Sequence, residues 1–245
     1  MTLAQCIEAL YIAFAPYGRR DLIDGCPHCV GRAEQDTLAR VPLRTLSCEQ
    51  LSRYAFKAIT TWGAPDDYKH FLPRIMDLAI TQEGRGWPGL DLQLIAGKLQ
   101  LAGWKSWPEA ELDALERFAG ALWQTVLASD PIESLWRASE ALRGIAAITR
   151  DLTSYLAVWS ADRSLTSALQ LAEVIDASWA DLANHGQLRG VWRGAPGSDE
   201  IARWLTAPAR RRALEAAFEL HVDDAASSRL AAAVDAWQWM TSGVR

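Results

Sequence analysis

Cys26-Pro27-His28-Cys29 places two thiols and an imidazole within four residues, and Cys6 and Cys48 stand on either side of it. All four cysteines of the 245-residue chain fall in its first 48 positions. A Cys-x-x-Cys spacing sets two thiolates on one tight turn, where both can reach one tetrahedral Zn²⁺ at about 2.3 Å. A closed structural site needs two more ligands, and Cys48 with either Cys6 or His28 is available to provide them. The spacing therefore predicts a structural zinc on Cys26, Cys29, Cys48, His28 and Cys6. The plain alternative is four idle or buried thiols with no metal.

A second cluster lies at Trp62-Gly63-Ala64-Pro65-Asp66-Asp67-Tyr68-Lys69-His70, with Arg74 one turn on. Asp66, Asp67 and His70 fall at helical spacing, where a carboxylate can orient an imidazole. Trp62, Asp66, Asp67, His70 and Arg74 are thus a candidate binding surface. The competing expectation is that both aspartates serve the amino end of a helix and His70 packs. Arg210-Arg211-Arg212 follows Pro208 at a helix start, an unfavourable place for cations, and reads as an anion or partner contact or as a solvated face. No Walker loop, dinucleotide fingerprint, serine elbow, paired zincin histidines or kinase signature occurs. Cys-Pro-His-Cys also resembles the active-site turn of thioredoxin-like oxidants, in which a depressed thiolate pKa drives exchange. Those turns sit between a strand and a helix, and no strand is legible before Ile23.

The elements that must position these groups read as helices from end to end. Leu3, Ile7, Leu10, Tyr11 and Phe14 form one apolar stripe closed by Pro16 and Gly18. Residues 18–45 are expected to be irregular. Ser47 is a natural N-cap with Gln50 three residues on, as in a capping box. The next helix starts at Pro65 and carries Pro73, which predicts a kink or restart near His70 to Leu72. Further helices are expected at about 90–102, 108–128, 132–147, 149–160, 163–185, 198–206, 208–221 and 224–241. His185-Gly186 reads as a helix end with glycine in the left-handed cap. Loops fall at 83–89, the candidate internal boundary, and at 186–198. About ten helices with short links permit a compact bundle or a solenoid of helical hairpins. No repeat period survives along the chain, so a single compact all-α domain over 1–245 is the expectation.

Half the residues are hydrophobic, 22% are charged and the formal net charge is −5, which opposes a nucleic-acid footprint. Residues 1–63 hold seven Lys/Arg against six Asp/Glu, while 64–245 hold 18 against 24. Twelve tryptophans, spread from Trp62 to Trp239, suit core wedges or protein contacts. The amino-terminal stretch lacks a basic n-region and Glu8 interrupts it, so no export signal or membrane span is expected and a cytoplasmic setting is. There thiols stay reduced, which ranks metal above disulfides.

Cys26-Pro27-His28-Cys29, Thr61-Trp62-Gly63 and Lys69-His70-Phe71-Leu72-Pro73-Arg74, together with Trp107-Pro108, resemble a group of uncharacterised bacterial proteins. The likeness covers roughly residues 20–80 and implies a bacterial, cytosolic origin without an activity. The functional expectation is a non-enzymatic protein-binding module with a zinc knuckle. It would serve as an immunity protein neutralising a basic toxin, or as an adaptor. The rival expectation is a metal-dependent enzyme using the cysteine cluster or Asp66, Asp67 and His70.

Overall fold

Helices form wherever apolar residues recur every three or four positions, and the computed structural model is all-helical over its described residues, 1–18 and 21–242. Positions 19 and 20 of the 18–45 segment lie outside them. Contacts divide the chain into two compact units, Met1–Ala121 and Leu122–Arg245. No strand occurs among the described residues, only isolated bridges at Gly25–Trp62 and Ala58–Trp62. None of their helices is long and apolar enough to cross a membrane.

The first unit holds α1 (Leu3–Ala13), α2 (Arg32–Arg40), α3 (Cys48–Lys57), α4 (Pro65–Ala79), α5 (Leu92–Leu101) and most of α6 (Glu109–Leu127). Helix α4 is its centre, packing against α1 and α3. Tyr68, Phe71, Leu72, Ile75 and Met76 are all buried, and Phe71 meets Tyr54 of α3 at 4.6 Å between ring centroids. α4 runs through Pro73 as one helix, so the expected restart does not occur. Burial on nearly every face offsets the backbone bond that proline cannot make.

The segment expected to be irregular contains α2. Its apolar signal is a single buried residue, Leu38, so periodicity could not find it. Tertiary bonds hold it instead. Glu34 accepts from the Gly31 N–H at 2.9 Å and pairs with Arg53 of α3, while the Gln35 amide donates to the Ile23 carbonyl at 2.6 Å. Loop 83–89 is seated firmly. Gly89 has φ +87°, and a Cβ there would stand 2.4 Å from the Phe56 nitrogen, so only glycine lets the loop lie on α3.

The second unit holds the carboxyl end of α6, then α7 (Ala138–Ile148), α8 (Leu152–Ala161), α9 (Leu165–His185), α10 (Ser198–Thr206), α11 (Pro208–Leu220) and α12 (Ser227–Ser242). Helix α9 is the hub, against α7, α11 and α12. It ends at Gly186 with φ +65°, the left-handed cap that the His185-Gly186 pair predicts. The helix expected from 132 starts at Ala138 instead. The Asp130 carboxylate accepts from the Ile132 N–H at 2.8 Å and Ser134 Oγ from the Trp136 N–H at 3.1 Å, so local side-chain turns take up the backbone donors. The first helical N–H, of Ala138, is satisfied by Gln170 of α9 at 2.8 Å. Seven of the twelve tryptophans are buried, and Trp123, Trp159 and Trp237 each donate an indole N–H to a backbone carbonyl.

Candidate functional site

The Cys26–Cys29 turn is built from backbone bonds before any side chain acts. The Cys26 carbonyl accepts from the Cys29 N–H at 2.8 Å and the Val30 N–H at 3.0 Å, closing a tight turn. The turn is pinned to the α3–α4 connection through Cys26 N–H to the Thr61 carbonyl, 2.9 Å, and Gly63 N–H to the Asp24 carbonyl, 2.6 Å. Gly63 has φ +78°, and a Cβ there would meet Ile23 at 2.9 Å and Asp67 at 3.1 Å. The close approach therefore depends on glycine.

From the other side, Arg53 and Lys57 of α3 both donate to the Cys29 carbonyl. Two cations thus stand beside the turn. The His28 backbone N–H and the Cys29 thiol beside the Cys26 sulfur, with the positive charge of Lys57, hold its pKa below the usual thiol range. Both sulfurs are free and both residues are half-buried. The imidazole of His28 is exposed, and its contribution here is its backbone N–H.

The other two cysteines occupy different ground. Cys6, on α1, is buried and donates to the Arg117 carbonyl at 3.4 Å. Cys48 is buried in the first turn of α3, whereas Lys57, which touches the Cys-x-x-Cys turn, ends that helix. Helix α3 thus presents Arg53 and Lys57 to the turn, while Cys48 is sealed in the core. Burial pushes both thiols up, the opposite of Cys26. Among the described residues no three His, Cys, Asp or Glu side chains converge as metal ligands. The arrangement offers a thiolate-prone cysteine with a partner thiol one turn away. An i to i+3 turn keeps the Cα atoms under about 7 Å, which fits a disulfide.

The second cluster is taken up by helix building. Trp62 is 2% exposed and packs edge-on against Tyr54 at 5.3 Å. Asp67 is buried and accepts from the Ala64 N–H at 2.8 Å, capping α4. Asp66 is exposed in the first helical turn. His70 Nδ1 lies 2.7 Å from the Tyr17 carbonyl, and Arg74 donates to the Leu46 carbonyl and to Asp77 at 2.9 and 2.6 Å.

Sequence reading missed the network beside this cluster. Lys69 Nζ stands 2.8 Å from Glu111 Oε2, off-line for a hydrogen bond, while the Tyr17 hydroxyl donates to Glu111 Oε1 at 2.6 Å and accepts from Lys69 at 2.7 Å. The visible signal was a lysine on the apolar face of α4. No family model, curated protein or solved structure matches the chain.

Proposed function

We propose that Cys26 and Cys29 form a thiol–disulfide exchange pair, cycling between dithiol and disulfide on a helical scaffold. The observation that carries it is the tight turn that sets Cys26 and Cys29 together beside Arg53 and Lys57, while Cys6 and Cys48 are buried. With a small-molecule or protein disulfide as oxidant, the Cys26 thiolate attacks one sulfur and the disulfide splits, releasing one thiolate. Cys29, deprotonated, then attacks the Cys26 sulfur and displaces the second thiolate. The pair loses two electrons and two protons; the released thiolates take up both protons and leave as two thiols. Such chemistry needs a thiolate and a resolving thiol, and no particular fold.

The test is incubation in glutathione redox buffers, followed by alkylation and peptide mass spectrometry. The expected result is a Cys26–Cys29 disulfide, absent in Cys29→Ser, which stays as a mixed disulfide at Cys26. Reduced protein alkylates first at Cys26, and Lys57→Gln slows that step at neutral pH. Equal alkylation of all four cysteines, or no internal disulfide in oxidised glutathione, would sink the reading. One tightly held zinc per chain that blocks alkylation of both thiols would replace it with the metal reading.

A protein-docking role, as an immunity protein against a basic toxin or as an adaptor, has its specific support in Trp179 and Trp239, exposed on α9 and α12. Complex formation that survives Cys29→Ser and fails with Trp239→Ala belongs to that reading.

A further inference from the structure

Of the three successive arginines at the start of α11, Arg211 is paired with Glu215 at 2.7 Å, Arg212 is exposed, and Arg210 turns inward. Arg210 lines a cavity of about 70 Å³ with Arg163, Ser164 and Ser167 at the amino end of α9. Its guanidinium is held rigidly. Nη1 donates to Ser160 Oγ at 2.6 Å, and the group lies over the Trp204 ring at 4.4 Å. Trp204 donates to the same Ser160 oxygen at 3.0 Å and stacks on Trp159 at 4.7 Å.

The charges around this clamp do not balance. Among the described residues neither Arg163 nor Arg210 meets a carboxylate at ion-pair distance, and the Arg210 Nε–H, closed off from solvent, has no acceptor. Asp162 also lines the cavity, but its carboxylate is turned to the Ser164 N–H at 2.8 Å. A half-buried cation is thus set beside a second cation and the positive end of a 21-residue helix. Such an arrangement costs stability unless an anion completes it.

We infer that this cavity binds a single phosphate group, either free phosphate or the end of a phosphomonoester. The space accommodates about five waters at ~10–15 Å³ each, which suits one tetrahedral oxyanion. Arg210 supplies planar donors already fixed in place, and Arg163 at the rim neutralises the second charge. The amino end of α9 adds its positive field, while the Ser164 and Ser167 N–H groups are taken by Asp162 and by Ser164 Oγ.

Calorimetric and thermal-shift titrations of the full chain with inorganic phosphate and with O-phosphoserine, at ionic strength matched with chloride, test this. The expected result is a phosphate-specific rise in Tm. Arg163→Gln, at an exposed position that the fold does not need, weakens binding about tenfold, the loss of one charge-assisted contact. Tighter binding of phosphoserine than of phosphate assigns the site to a phosphomonoester; the reverse order assigns it to the free ion. No rise beyond chloride in the natural sequence, or an affinity unchanged in Arg163→Gln, overturns the inference. The site lies in the second unit, so neither outcome bears on Cys26 and Cys29.

Discussion

Lys69 and Lys98 are both 5% exposed, and the groups that meet their ammonium ions differ. Burial opposes the charge of Lys69, but Glu111 and the Tyr17 hydroxyl outweigh it and hold the pKa above the usual lysine range. Among the described residues Lys98 donates only to neutral oxygens, the Ala58 carbonyl at 2.8 Å and Thr60 Oγ1 at 3.4 Å, and burial pulls its pKa down. Lys69→Met leaves Glu111 buried and unpaired, which costs about 3–5 kcal/mol in urea unfolding, and adding Glu111→Leu restores most of it. Lys98→Met orphans one carbonyl while removing a buried charge, so it costs less than about 2 kcal/mol. Equal losses in the two single variants would show that partner chemistry does not set their cost. At this scale the sequence named Cys26 and Cys29 but could not separate them from Cys6 and Cys48. Nearness in the chain says nothing about which sulfurs a fold buries.

Element boundaries were most legible where local chemistry decides them. Ser47 caps α3 with both bonds of the capping box in place, Gln50 N–H to Ser47 Oγ at 3.3 Å and Ser47 N–H to Gln50 Oε1 at 2.9 Å. The His185-Gly186 stop and the start at Ser198 are equally local. Legibility failed where distant partners decide. Helix α2 is polar along most of its length and owes its place to Ile23 and Arg53. Neither partner is visible in a local window. Ser47→Ala therefore lowers stability by about 1 kcal/mol, because only the cap bond is lost. It also loosens the amino end of α3 while leaving Cys26 alkylation unchanged, since the turn is held at the Lys57 end. A parallel change in Cys26 reactivity would mean that α3 does not act as a rigid support.

Across the whole molecule, proton-binding groups are divided unevenly between the two units. Tyr11, raised to about 12 by burial and by Asp77, lies in Met1–Ala121 with Tyr17, Tyr68, Lys69, Cys6 and Cys48, all shifted upward. Each keeps its proton in the folded state after the unfolded chain has released it, so each contributes stability that is lost as pH rises. One fully protected group loses about 1.4 kcal/mol per pH unit above its unfolded pKa. Cys26 and Lys98, shifted downward, oppose the trend in the same unit but are outnumbered. The aromatic weight lies the other way, since eight of the twelve tryptophans follow residue 121 and four of those are buried without titrating. Between pH 8 and pH 10.5 the first unit is therefore expected to lose stability ahead of the second. Subtilisin cleavage in dilute urea, mapped by mass spectrometry, should open sites within 1–121 first at the higher pH. First cuts beyond residue 122 would show that buried phenols and thiols do not govern the alkaline limit, and that the cost falls instead on the arginine-rich helices around α9.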